Sequence, residues 1–169
     1  MSKVVHQIID TALSQGFLIR RISNRFVNFF SLTVEWEILD SFFGLATNIV
    51  RHRLEEIPFD LLLNFVRKNI ENSNSFIRVA SVELLFELLS GTDEKCRKTF
   101  DAESFIENLF LFETEAIVRR TCSKMMIKFD GDGKSSNIRR IMLRGLRDLD
   151  WEVKEQVRMK KIYFVSYAL

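Results

Sequence analysis

The feature that most constrains this 169-residue chain is a pattern that returns about every forty residues. Residues 33–50 read TVEWEILDSFFGLATNIV, and residues 148–165 read DLDWEVKEQVRMKKIYFV. Each carries an acidic residue, then Trp-Glu, then a β-branched apolar residue. Two further segments match in weaker form, SNSFIRVASVELLFELL at 73–89 and ETEAIVRRTCSKMMIKF at 113–129. Anchored on Ile38, Ile77, Val118 and Val153, the copies are spaced 39, 41 and 35 residues apart. Three positions before each anchor stand Glu35, Asn74, Glu115 and Asp150; one position after stand Leu39, Arg78, Arg119 and Lys154.

This arrangement has a physical reading. An acidic residue or Asn just ahead of a helix accepts hydrogen bonds from the free N–H groups of the first turn. The β-branched anchor then faces the core, and apolar residues follow at helical spacing. In the second copy these include Ile77, Ala80, Leu84 and Leu88. Each anchored helix is preceded by another apolar-periodic stretch, at 17–30, 59–71, 102–112 and 136–147. Polar or glycine-bearing links at 72–75, 90–95 and 131–136 separate the helices, and a further helix is expected over 3–15. The chain has one proline and six glycines, too few turn residues for a sandwich or barrel, and sixteen phenylalanines to serve as bulky knobs between helices. The expected fold is all-α: an N-terminal helix followed by about four helical hairpins, at roughly 17–54, 58–90, 101–129 and 136–165, in one domain. One hairpin cannot bury its apolar face alone, so the hairpins must stack.

At this level the repeats resemble HEAT/armadillo-type repeats, whose second helix opens with an acidic cap and a Val-Arg pair. The matching residues are Asn74-Ile77-Arg78, Glu115-Val118-Arg119 and Asp150-Val153-Lys154; the first copy departs, with Leu39 in the basic slot. The resemblance covers residues 17–157 and implies an α-α superhelix, a HEAT-like solenoid that binds other proteins. The string LRDLDWEVKEQV at 146–157 also looks like a segment of the ATM-activator scaffold family, the HEAT-repeat proteins associated with the breast-cancer susceptibility protein. That narrower resemblance spans about a dozen residues. It implies a role in DNA-damage signalling, contact with the RNA-processing Integrator machinery, and a longer parent scaffold.

Two readings stand for residues 157–169. The string VRMKKIYFVSYAL follows Gln156 without a polar closing face. Gln156-Val157-Arg158 can be encoded as a splice-donor sequence, so the tail reads as intron read-through. Equally, it reads as a true C-terminal helix packing Ile162, Phe164 and Val165 on the last repeat, with Tyr163, Phe164 and Tyr167 as apolar patch residues.

No catalytic or cofactor constellation is expected. His6 and His52 lack ligand-spaced partners, and Cys96 and Cys122 lie 26 apart without metal spacing. Cys122 sits on an apolar helix face and reads as core, and Cys96 as a loop thiol. The DGDGK segment at 130–134 has neither the spacing of a phosphate loop nor a carboxylate at the twelfth position of a calcium loop, where Ile141 stands. No secretory leader and no membrane span is expected, which suits an intracellular protein of the cytoplasm or nucleus.

The charge is +2 overall but uneven: residues 134–161 hold nine basic and four acidic residues. The recurring Arg78, Arg119, Arg120 and Lys154 suggest a ladder for an acidic protein partner. The pairs Arg119/Arg120 and Arg139/Arg140 support the alternative, a nucleic-acid-binding repeat module. Trp36 and Trp151 either plug the seam between neighbouring hairpins or stand exposed as binding hot spots.

Overall fold

The computed structural model describes residues 35–53, 59–90, 101–129 and 136–166. Among these every regular element is helical: α1 Trp36–Arg53, α2 Phe59–Asn69, α3 Ser75–Ser90, α4 Ala102–Phe112, α5 Ala116–Phe129, α6 Ser136–Gly145 and α7 Trp151–Ser166. The expected helices over 3–15 and 17–30, together with His6, Pro58, Cys96, the DGDGK segment and Tyr167, lie outside the described residues. So do the side chains of His52, Ile162, Tyr163, Phe164 and Val165. No described helix is long and apolar enough to cross a membrane. The chain forms two compact units, Met1–Gly91 and Thr92–Leu169.

In the first unit α3 packs against both α1 and α2. Its sequence explains this position. Ile77, Val82, Leu84, Leu85, Phe86, Leu88 and Leu89 are all buried, so apolar side chains surround the helix on most sides. A helix apolar all round must be covered on more than one face. α1 carries a narrower stripe, Leu39, Phe42, Phe43, Ala46, Ile49 and Val50, at three- and four-residue spacing. Phe65 of α2 meets this stripe, edge-on to Phe42 at 5.0 Å and tilted against Phe43 at 4.6 Å between ring centroids. Some of the abundant phenylalanine is thus a knob between helices. The buried Ser81 hydroxyl donates to the Ile77 carbonyl one turn back at 2.8 Å, which satisfies it within the helix.

The second unit is two hairpins laid side by side. The first helices pair, α4 with α6, and the second helices pair, α5 with α7. Ile106 and Phe110 of α4, Val118, Cys122 and Met126 of α5, Ile138 and Ile141 of α6, and Val153 and Val157 of α7 form its core. Gly145 lets α6 approach α7 closely, since a Cβ there would lie 2.6 Å from Val157 Cγ2. The helix of α7 runs unbroken through Gln156 to Ser166.

The anchors behave differently in the two halves of the pattern. Ile77, Val118 and Val153 are fully buried. Ile38 is not; it is 49% exposed, and Leu39 beside it is buried instead. The expectation that Ile38 faces the core is corrected. The inward stripe of α1 begins at Leu39 and runs to Phe42, Phe43 and Ala46, and Ile38 sits about 100° of helix rotation away from Leu39.

Candidate functional site

Three hairpin turns share one local design. In the α2–α3 turn the Asn72 side chain accepts from Asn74 N–H at 2.9 Å, and the Asn74 carbonyl accepts from Arg78 N–H at 3.2 Å. In the α4–α5 turn the Glu113 side chain accepts from Glu115 N–H at 2.8 Å, and the Glu115 carbonyl from Arg119 N–H at 3.2 Å. In the α6–α7 turn the Asp148 side chain accepts from Asp150 N–H at 2.9 Å, and the Asp150 carbonyl from Lys154 N–H at 3.3 Å. Asp150 and Asn74 also cap their helices through side-chain oxygens, to Val153 N–H and Phe76 N–H. The capping residues are the ones the repeat pattern marks.

The recurring arginines close the first two of these turns. Arg78 Nη1 donates to the Asn72 and Ser73 carbonyls at 2.7 and 3.2 Å. Arg119 Nη1 donates to the corresponding Glu113 and Thr114 carbonyls at 3.1 and 2.6 Å. Its remaining two nitrogens form a fork on the neighbouring turn: Nε to Asp148 Oδ2 at 2.8 Å and Nη2 to Asp148 Oδ1 at 2.9 Å. One guanidinium thus joins two adjacent turns, which a lysine ammonium cannot do with the same geometry. The site is mostly dry, with the Arg119 and Asp148 side chains 15% and 7% exposed. The hydrogen bond from Arg119 holds the Asp148 carboxyl below the usual carboxylate range and pushes the guanidinium further up.

Arg120 makes a second fork, donating to Asp150 Oδ1 at 3.0 Å and Oδ2 at 2.8 Å, and it also pairs with Glu152. That fork, with the Val153 N–H, lowers the Asp150 carboxyl to about 2. Arg140 of α6 pairs with the buried Glu107 of α4 at 2.6 Å, in the layer of first helices. Arg139 is exposed on the same helix. Lys154 occupies the slot filled by Arg119 one repeat earlier, but its side chain is exposed and has no partner among the described residues.

The tryptophans settle differently from the seam-plug reading. Trp36 is 47% and Trp151 69% exposed. Trp36 does cross from α1 to α3, stacking on Phe76 at 6.3 Å between ring centroids, yet the pair stays open to solvent. Trp151 begins α7 and points away from the Val153–Val157 core stripe. Each opens its helix directly after the capping residue, a position that lies off the buried stripe.

In the second unit the structure therefore brings Arg119, Arg120, Trp151 and Lys154 to one edge, where the turns of the two hairpins lie side by side. Arg139 and Arg140 belong to α6, and Trp36 and Arg78 to the first unit. The sequence reading missed Leu149, at the apex of the α6–α7 turn and 99% exposed, and the exposed Phe112 and Ile117 beside the α4–α5 turn. A signal for Leu149 was present: in Asp-Leu-Asp, two capping carboxylates flank it, so the leucine lies in the turn and not on a helix face. Cys122 is fully buried, and burial pushes its thiol far up, away from thiolate reactivity. No three described His, Cys, Asp or Glu side chains gather as metal ligands.

These features define an all-α protein of paired helical hairpins with arginine-clasped turns. Comparison of the chain with known protein families, with curated proteins and with solved structures finds no match.

Proposed function

We propose that this chain is a non-catalytic protein-binding scaffold built on HEAT-like repeats, an α-α superhelix of stacked hairpins. The observation that carries the reading is the clasped turn. The same side-chain-to-backbone bonds recur at Asn72/Asn74, Glu113/Glu115 and Asp148/Asp150 with the spacing of the sequence repeat. Like-with-like pairing of helices in the second unit, α4 with α6 and α5 with α7, supports the same architecture. Stacked hairpins present a continuous edge of turns, and binding proteins of this design use such extended surfaces. The dozen residues resembling the ATM-activator scaffolds, 146–157, coincide with the last turn and the start of α7. They make a DNA-damage scaffold, working in the nucleus or cytoplasm, the particular form of this proposal.

The test is affinity purification of the full natural protein with nuclease treatment, followed by mass spectrometry. A protein recovered at a defined stoichiometry from nuclease-treated extract is the expected result. Recovery only of material that nuclease removes would overturn the reading in favour of nucleic-acid binding.

A further inference from the structure

Resting on the scaffold reading, we propose that the α6–α7 edge of the second unit binds a short acidic peptide carrying an apolar anchor residue. Three observations lead there. First, Leu149 is displayed by construction. Asp148 on one side is forked by Arg119, and Asp150 on the other is forked by Arg120. With both flanking carboxylates clasped onto α5, the leucine between them stands at the turn's apex, 99% exposed. A rigid, solvent-facing apolar side chain lowers the ordering cost of a partner that covers it.

Second, Leu149 is not isolated. Trp151 follows two residues later and is 69% exposed, and tryptophan is the side chain most enriched among binding hot spots. Arg119 touches both turns, so the exposed Phe112 and Ile117 of the preceding hairpin border the same edge.

Third, the α6–α7 segment keeps an outward excess of basic side chains. The segment contains Asp148, Asp150 and Glu152, but all three carboxylates are taken up by the arginines of α5. Outward on this segment stand Arg144, Arg147, Lys154 and Arg158 against Glu155, which sits beside Arg158, and on the preceding turn Glu115 is exposed. Trp151, Lys154, Glu155 and Arg158 fall at i, i+3, i+4 and i+7, so they form one stripe on α7 opposite the buried Val153 and Val157. An apolar pair beside a stripe with excess positive charge complements a peptide in which an aliphatic or aromatic residue is flanked by Asp or Glu. A phosphodiester backbone would use the cations but leave Leu149 and Trp151 uncovered, so peptide is the better fit.

The experiment is selection from a display library of random 12-residue peptides on the immobilised full chain. Enriched peptides are then synthesised, and their binding is followed by fluorescence anisotropy at two salt concentrations. The expected result is enrichment of acidic peptides with an apolar residue, with salt-weakened binding. Affinity should fall about tenfold or more in L149S/W151A and in R147E/K154E. Both pairs are exposed, so circular dichroism should match the parent, and Ile38→Ala at its exposed position in the first unit should leave binding unchanged. Peptides without acidic bias, or affinities that both double variants leave intact, would overturn the proposal. So would a duplex oligonucleotide that binds more tightly than any peptide, is lost in R147E/K154E and is retained in L149S/W151A. The wider scaffold reading is separated by repeating the affinity purification with both variants. Partners captured equally by parent and variants leave the scaffold standing and remove this surface; no captured protein and no selected peptide remove both.

Discussion

Removing Arg119 tests the clasped turn directly. Arg119→Ala deletes two bonds to Asp148 and two to the Glu113 and Thr114 carbonyls, and it strands a carboxylate only 7% exposed. An exposed ion pair is worth up to about 1 kcal/mol, whereas breaking a buried one costs about 3–5 kcal/mol. The low exposure of both side chains puts Arg119→Ala near the lower end of that second range, at about 3 kcal/mol. Asp148→Ala loses the same fork and the bond from Asp150 N–H, and should cost about 2–3 kcal/mol. The double variant removes the stranded partner, so its loss should fall short of the sum by about 1.5–2 kcal/mol. Arg119→Lys keeps the charge but not the fork, and should lie between wild type and alanine. The assay is equilibrium urea denaturation in a Trp36→Phe background, where Trp151 fluorescence reports on the second unit alone, with far-UV circular dichroism alongside. A coupling energy below about 0.5 kcal/mol would refute the argument, because the pair would then behave as an ordinary surface contact.

Three further outcomes follow from the packing and the titrating groups. Gly145→Ala places a methyl 2.6 Å from Val157 Cγ2 and should destabilise by about 1–3 kcal/mol, with Val157→Ala partly restoring the loss; a neutral Gly145→Ala in urea titration would show that α6 and α7 can separate freely. Ile77→Ala should cost about 2–4 kcal/mol, while Ile38→Ala at its exposed position should cost under about 1 kcal/mol; equal losses would contradict the stripe assigned to α1. Asp148 and Asp150 have folded pKa values below their unfolded ones, so their contribution is present above about pH 4; that of Asp150 is lost as pH falls toward about 2, and that of Asp148 as pH falls below the usual carboxylate range. Asp148→Asn should flatten that acid limb in a series of urea midpoints, and an unchanged slope would assign the acid sensitivity to other carboxylates.

The helical character, the capping residues and three of the four anchors were legible because they depend on neighbours close in sequence. Asn74, Glu115 and Asp150 cap the helices they immediately precede, and Ile77, Val118 and Val153 fall on the inward stripe one turn later. Ile38 departs because tertiary packing, not the local motif, decides which side of α1 is inward, and Leu39 wins that position. The arginines were visible as a periodic set but not in their role. Asp148 lies 29 residues from Arg119 and Asp150 lies 30 from Arg120, and no periodicity within one repeat shows that the next turn comes within hydrogen-bond reach. Once those forks form, the basic excess of residues 134–161 is redistributed. Three of the four acids turn toward α5, and only Glu155 stays beside the outward cations of α7. Trp36 and Trp151 were ambiguous because a large aromatic at a helix start serves equally at a seam or in solvent, and only the neighbouring backbone decides.

The double grip of Arg119 also bears on how the second unit comes apart. A hairpin that contacts its neighbour only through apolar surface can fray without altering the neighbour's own turn. Here the fray of α7 would release Asp148, and Arg119 would keep only its bonds to Glu113 and Thr114, leaving the α4–α5 turn less firmly held. Melting of α7 therefore lowers the stability of the α4–α5 hairpin, and the unit should open as a coupled pair, with Arg119 acting beside the links that Arg120 and Arg140 also make between the two hairpins.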